Sequence, residues 1–238
     1  MLVVLASRYD AAALRCVTRW SKWGARLLTC DDLSSQGWCY PVGAAADGTA
    51  VIAGKKILGA DILAVVTCLA GVPEHEMVNI VPCERAYAAA ESHAFLLAWL
   101  TELPCPVINR PRAPCLSAPG WRHEQWVNAA ARIGIPVAPV LRSVGGANNC
   151  TASLPVGSTI TVIGPRAIGA ADGVCSRWAR RLADAAQVQH LAVSFTDSGR
   201  GALFLAANPL PDLSNDAVLD ALLEYLLEVT ATARPVGI

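Results

Sequence analysis

Four short apolar runs in the first half of the chain constrain its fold more than any other feature. They alternate with stretches whose residue patterns are helical or hairpin-like. The runs are LVVLAS (2–7), ARLLTC (25–30), DILAVVTCL (61–69) and PVIN (106–109). A continuous apolar run such as LVVLAS is typical of a strand that is covered on both faces. Alternation of such strands with helices predicts a mostly parallel α/β sheet with right-handed crossovers.

The first predicted helix follows the first strand. Asp10 is placed to cap its N-terminus, because its side chain can accept hydrogen bonds from the first free backbone amides. Leu14, Val17 and Trp20 lie about one turn apart and predict the buried stripe of this helix. Gly24 predicts the point where the helical segment ends.

Two further elements are predicted before residue 110. Residues 41–57 match a β-hairpin, with Asp47-Gly48 in the two turn positions. Residues 84–103 predict a long helix in which Phe95 and Trp99 are one turn apart.

The second half of the chain predicts a different mixture of helices and strands. A helix over 121–133, ended by Gly134, precedes a strand in IPVAPVLR. The glycine-rich loop VGGANNCTASLPVGST predicts an internal boundary. Beyond it we predict a strand (159–165), a helix in GVCSRWARRLADAAQ, a hairpin with Asp197 and Gly199 in its turn, and a final helix capped by Ser214 or Asn215.

Composition excludes several classes of protein. Hydrophobic residues make up 54% of the 238 residues and charged residues 16%, which excludes a disordered chain. The formal net charge is zero, so no global field favours nucleic acid or a membrane surface. MLVVLAS runs directly into RYD and predicts a strand rather than a signal peptide. We therefore expect a cytoplasmic protein that binds neither membranes nor nucleic acid.

The nine cysteines do not form a recognisable metal motif. A thiolate metal site needs ligands that are clustered in the sequence, and no Cys-x-x-Cys pair occurs. We expect reduced, mostly buried thiols and no metal site.

Several motifs, in order along the chain, resemble the ATP-grasp superfamily, in particular the ligases that modify ribosomal proteins and ribosomal peptides. INRP (108–111) resembles the strand end that follows an N-terminal Rossmann-like subdomain in these enzymes. GIPVAP (134–139) resembles their next strand. Near the C-terminus, TITVIGPRAIGA resembles the strand that displays an arginine near the phosphates, and LFLAANPLPDL resembles the metal-binding strand.

The resemblance implies the fold class and the domain bounds. We expect an α/β protein with an N-terminal Rossmann-like (pre-ATP-grasp) subdomain over residues 1–110. A reduced ATP-grasp-like α+β subdomain is expected over residues 111–238.

The residues that would bind magnesium and triphosphate depart from the family pattern. Mg²⁺ requires hard oxygen ligands, usually carboxylates, and the phosphates require Lys or Arg. Ala206 stands where the family has a glutamate, Ser194 stands where an acid is expected, and only Asn208 is kept. All three lysines precede residue 57, and the connection from Arg142 to Thr159 is too short for the small lid subdomain.

Six residues are predicted to contact a ligand: Asn109, Arg110, Arg122, His123, Arg166 and Asn208. An alternative for INRP is purely structural, with the asparagine turning the chain and the proline ending the strand. An alternative for the Arg-His pair is that both side chains lie in solvent rather than bind an anion at a helix N-terminus. We predict no catalytic residue.

Two functions are compatible with these residues. The first is a non-catalytic ATP-grasp-like binding protein or subunit in a biosynthetic or peptide-modification pathway, with no cofactor. The alternative is a minimal ATP-dependent carboxylate–amine ligase that uses ATP and Mg²⁺ and completes its site with a partner chain. A protein partner or homo-oligomer is expected, with Trp121 and Trp126 as candidates for its surface, and a small ligand is compatible with either function.

Overall fold

A computed structural model describes residues 1–112, 114–140, 154–169 and 173–233. The chain divides into two compact units. The first comprises Met1–Gly120 together with the chain from Leu210 onward, and the second comprises Trp121–Pro209. The final helix thus belongs to the first unit, although it follows the second in the sequence. The division predicted from the sequence, into contiguous subdomains over residues 1–110 and 111–238, stays a prediction.

A four-stranded parallel sheet forms the centre of the first unit. Its strand order is β2-β1-β5-β6, and every neighbouring pair is parallel. These strands are β1 (Leu2–Leu5), β2 (Arg26–Leu28), β5 (Ala64–Thr67) and β6 (Val107–Ile108). All residues of β1 and β5 are buried, as expected for a sheet covered on both faces. The α/β fold class predicted from the sequence is confirmed.

The first helix, α1 (Ala11–Arg19), begins as predicted, but of the predicted stripe only Trp20 is fully buried. Asp10 Oδ1 accepts hydrogen bonds from the amides of Ala12 and Ala13, at 2.9 and 3.0 Å. The predicted stripe included Leu14, which is 48% exposed. The fully buried positions are Ala13, Cys16 and Trp20. The small Ala13 and Cys16 side chains let the helix approach its neighbours closely, a feature that hydrophobicity alone does not reveal.

The predicted hairpin exists, but its turn is formed by Ala53 and Gly54 rather than by Asp47 and Gly48. After the short helix α2 (Cys30–Leu33), strands β3 (Thr49–Ile52) and β4 (Lys55–Leu58) pair in antiparallel register. Ala53 and Gly54 connect them with φ of 51° and 72°. Both values are positive, as a two-residue type I′ turn requires. The predicted turn residues Asp47 and Gly48 instead precede β3, so this part of the sequence-based prediction was wrong.

Two long helices complete the first unit. In α3 (Arg85–Glu102), Phe95 and Trp99 both contact the edge of Trp38, with ring centroids 5.1 and 5.3 Å apart. Helix α6 (Asp216–Ala233) is capped by Asn215, whose Oδ1 accepts from Ala217 N at 3.0 Å. Among the described residues no helix is both long and apolar enough to cross a membrane.

The second unit consists of an antiparallel sheet with helices on one face. The sheet order is β10-β9-β7-β8. Its elements are α4 (His123–Arg132), β7 (Ser158–Ile163), β8 (Arg166–Ile168), α5 (Gly173–Ala186), β9 (His190–Phe195) and β10 (Phe204–Asn208). The predicted hairpin of β9 and β10 is confirmed.

The segment after α4 is less regular than predicted. Residues 135–140 form only a single bridge, Val137 to Phe204, instead of a strand. Phe204 N donates to Pro136 O at 2.7 Å, and Ala138 N donates to Phe204 O at 3.2 Å. Prolines 136 and 139 lack the amide hydrogens that a longer ladder would use. The end of the predicted strand, and residues 144–153 of the loop predicted as the internal boundary, lie outside the described residues.

Candidate functional site

The sheet of the second unit has one apolar face and an opposite face that is open at Thr159, Ala206 and Asn208 and buried at Ile163 and His190. Alternate residues of a strand share a face, and so do residues paired directly across neighbouring strands. One face carries Ile160, Val162, Leu191, Val193 and Phe195, all of which are buried under α4 and α5. The opposite face is therefore the candidate functional surface of this unit.

A β-bulge decides which residues of β10 reach that open face. The register shifts between Phe204 and Ala206. Phe204 pairs with Phe195 on the apolar face, whereas Ala206 pairs with Ser194 on the open face. The extra residue, Leu205, makes this change of side possible. Without the bulge, Phe204 and Ala206 would share a face.

Two rows of paired residues form the centre of the open face. Thr159, Ser194 and Ala206 make the first row, in which the two hydroxyl oxygens are 3.2 Å apart. The second row contains Asn208, which lies two residues beyond Ala206, and its partner Ala192. Ala206 and Asn208 are exposed and Ser194 is half-buried. The structure thus brings together the three positions that the family resemblance associates with metal binding.

The chemistry of these side chains does not fit a magnesium-bound triphosphate. They offer hydroxyl groups, methyl groups and one amide, whereas Mg²⁺ is bound through carboxylates and phosphate oxygens. None of the four strands contains an aspartate or glutamate. Within the described parts of the chain, no group of three His, Cys, Asp or Glu residues could hold a metal ion. The whole second unit also contains no lysine.

Arg166 lies on the same face but at the opposite edge of the sheet. It pairs with Ile163 in β7, whereas Asn208 is in β10. Three inter-strand steps of about 4.8 Å separate the two edge strands by about 14 Å. Arg166 and Asn208 are therefore placed to contact the two ends of one extended ligand.

Arg122 and His123 are exposed at the start of α4. The backbone amide of Arg122 donates to the side-chain Oε1 of Gln125 at 2.8 Å, which stabilises the first turn. The rings of the neighbouring Trp121 and Trp126 contact each other, with their centroids 4.8 Å apart. Trp126 is 2% exposed and belongs to the core of its own unit. Of the two tryptophans proposed for a partner surface, only Trp121 is accessible to a partner.

Asn109 and Arg110 lie in the first unit, where the structure gives each a structural explanation. Asn109 is buried and has a φ of 50°, so it turns the chain after β6. The Arg110 guanidinium donates to the carbonyls of Leu100, Thr101, Leu103 and Cys105, at 2.6–3.0 Å. Burial lowers the pKa of this guanidinium. These bonds hold the C-terminal end of α3. Ligand contact by Asn109 and Arg110 stays a prediction.

Three of the seven thiols of the first unit, those of Cys16, Cys30 and Cys105, are buried. Burial, reinforced by neighbouring carboxylates, raises the pKa of Cys16 and of Cys30 to about 12. Only the thiolate is nucleophilic, so these two thiols are inert at neutral pH. Cys39 and Cys83, however, are exposed. Cys150 lies outside the described residues.

Sequence reasoning missed two polar residues on this face of the sheet, the exposed Thr159 and the buried Thr161. Both belong to the TITVIGP strand, and both share a face with Ser194 and Asn208. The signal was present, because polar and apolar residues alternate along TITVI with period two. The pairing register that places them beside Ser194 depends on the tertiary fold and is not visible in one strand.

Comparisons with known proteins identify the fold. No protein-family model and no curated protein matches the chain. Among solved structures, the macrocyclase MdnC from Microcystis aeruginosa, bound with precursor peptide MdnA, is 11% identical with a TM-score of 0.72. The alignment covers 96% of this chain and 100% of that one.

Two further solved structures are similar. The ATP-grasp ligase PsnB, complexed with minimal precursor, Mg and ADP, is 14% identical with a TM-score of 0.66, over 95% of this chain and 98% of PsnB. A RiPP-associated ATP-grasp ligase from Chryseobacterium gregarium, in complex with ADP and a leader and core peptide, is 10% identical. Its TM-score is 0.63, over 98% of this chain and 97% of that one. At such low sequence identity the comparisons show similarity of fold alone. The TM-scores confirm the fold predicted from the sequence.

Proposed function

We propose that this chain, which has the fold of the ATP-grasp superfamily, is a non-catalytic binding protein or subunit of a peptide-modification system. One observation carries the proposal. Ser194 and Ala206 are paired across β9 and β10 beside Asn208, so the face expected to hold magnesium presents a hydroxyl and a methyl group instead of two carboxylates. A neutral amide alone binds Mg²⁺ weakly.

The proposed partner is a peptide. Three solved structures of the same fold are complexes with precursor or leader peptides. The polar face of the second unit offers hydroxyl and amide groups that can hydrogen-bond to a polypeptide backbone without a cofactor. We further propose that the protein works in the cytoplasm, with a protein partner or as a homo-oligomer.

Titration calorimetry with ATP, with and without Mg²⁺, tests the non-catalytic assignment. We expect no affinity that depends on Mg²⁺, because the described open face supplies no carboxylate to bridge metal and phosphate. A micromolar, Mg²⁺-dependent affinity of the isolated chain would overturn the proposal. Analytical ultracentrifugation of the same sample distinguishes a monomer from a homo-oligomer.

A minimal carboxylate–amine ligase is the second candidate, because Asn208 and Arg166 are both kept on the open face. In that function a partner chain supplies the missing acids, and the arginine stabilises charge on the transferred phosphoryl group. The PsnB complexes contain Mg and ADP, which is consistent with this alternative. It requires ATP consumption that appears only when the partner chain is added.

A further inference from the structure

The two units carry opposite formal charges, although the whole chain is neutral. The second unit, Trp121–Pro209, contains eight arginines, no lysine and four acidic residues. Its formal charge is therefore +4, and that of the remaining residues is −4. The formal net charge of zero for the whole chain does not show this asymmetry. The positive charge of the second unit favours negatively charged partners.

Three of these arginines lie on successive turns of α5. Arg177, Arg180 and Arg181 are all exposed, and together with Gly173 they line an open groove of about 540 Å³. Residues three and four apart on a helix lie about 5–6 Å from each other, where like charges destabilise the helix. The cluster therefore costs stability in the absence of a partner.

Contacts within the unit account for only part of this cluster. Arg181 donates to the carbonyl of Ile133, and so stabilises the C-terminal end of α4. Arg180 Nε donates to Ser176 O at 3.4 Å, within its own helix. Asp184, also exposed, is the one acidic residue of α5 and lies one turn beyond Arg180 and Arg181. Arg177 lies two turns from Asp184, so that carboxylate does not neutralise it.

We propose that Arg177, Arg180 and Arg181, here named the arginine surface, dock an acidic segment of a partner polypeptide. Guanidinium groups bind carboxylates through paired hydrogen bonds, and their spacing of about one helical turn matches acidic side chains on a helix or an extended segment. The surface lies on a helix, on the side of the sheet opposite the open polar face. The inference goes beyond the proposed function and holds whether or not the protein binds a nucleotide.

The groove favours carboxylates over nucleic acid. The described residues of its lining include no aromatic side chain on which a base could stack. Trp178, the aromatic residue of α5, packs against the core and contacts Phe195. The charge of the unit is also modest, whereas nucleic-acid binding usually depends on a larger basic footprint.

Fluorescence anisotropy with a short fluorescein-labelled polyglutamate, at physiological ionic strength, tests the inference. We expect wild-type protein to bind it, and the double variant R177Q/R180Q to bind at least about tenfold more weakly, since each charge-assisted contact contributes to affinity. The matched control K22Q/K55Q removes two exposed positive charges from the first unit and should retain wild-type affinity. Polyglutamine and an oligothymidylate of equal length serve as competitors.

Three outcomes would overturn the inference. The first is the absence of polyglutamate binding by wild-type protein, and the second is an equal loss in both double variants. The third is stronger competition by oligothymidylate, which would make the surface a nucleic-acid site. Thermal melts followed by circular dichroism check that the variants are folded. Because R177Q/R180Q removes like-charge repulsion, its melting temperature should equal or exceed that of wild type. R177K/R180K should recover part of the affinity, because it restores the charge but not the paired geometry.

Discussion

The two units of this protein use their sheets differently. The parallel sheet of the first unit has strands β1 and β5 buried along their whole length. Within that unit Arg110 donates to backbone carbonyls, and Asn109 turns the chain after β6. The antiparallel sheet of the second unit packs one face under α4 and α5 and leaves Thr159, Ala206 and Asn208 exposed on the other. Polar residues that the sequence predicts as ligands can therefore have a structural role where a sheet is covered. On an exposed face of a sheet, such residues are accessible to a ligand.

Replacing a core residue of the second sheet should give the largest effect. Phe195→Ala removes a ring that is 0% exposed, and should lower the free energy of unfolding by about 3–5 kcal/mol. Ala206→Ser, on the open face, should change it by less than about 0.5 kcal/mol. Urea denaturation of both variants checks this contrast, and equal losses would mean that the two faces do not differ as described.

The role of Arg110 is tested by comparing it with an exposed arginine. Arg110→Met removes hydrogen bonds to four carbonyls and should cost about 2–3 kcal/mol in the free energy of unfolding. Arg122→Met should be almost neutral, because that side chain is exposed. If urea denaturation shows Arg110→Met to be neutral as well, the contacts at the end of α3 do not explain the residue.

Helix caps give a smaller contrast between the units. Asp10→Ala removes the acceptor for two amides of α1 and should cost about 1 kcal/mol. Arg122 precedes α4 and places a positive charge at the helix N-terminus, so Arg122→Asp should stabilise by about 0.5–1 kcal/mol. Thermal melts of both variants would contradict this account if the two shifts had the same sign.

The smallest effect concerns the buried thiols at alkaline pH. Folding raises the pKa of Cys16 from 9.0 to about 12, so the folded state favours the neutral thiol. This contribution is complete below pH 9 and is lost as the pH rises toward 12. The difference in urea midpoint between wild type and Cys16→Ala should shrink over that range, and a constant difference would contradict this account.

The sequence predicted the elements better than their details. The four apolar runs of the first unit became the predicted parallel strands, because continuous burial leaves a clear pattern. The hairpin turn was misplaced because Asp47-Gly48 satisfies turn preferences at least as well as Ala53-Gly54. The choice between them depends on which strands pair. The stripe of α1 was misjudged because Ala13 and Cys16, although small, are the buried residues.

The candidate site was visible in part. Ser194, Ala206 and Asn208 were recognised from the family resemblance, and the structure places them side by side on one face. The four backbone carbonyls around Arg110 could not be predicted, since they depend on how the chain folds back after α3. The arginine surface was equally hidden, because a net charge of zero says nothing about how charge is divided between units.

The most direct test of the central claim is a Mn²⁺ titration followed by electron paramagnetic resonance, with Mn²⁺ as a probe for Mg²⁺. The account predicts no site on the open face of wild-type protein. It also predicts a new site in the double variant S194D/A206E, because two carboxylates beside Asn208 form an oxygen ligand set. A wild-type Mn²⁺ site that Asn208→Ala removes would contradict the account.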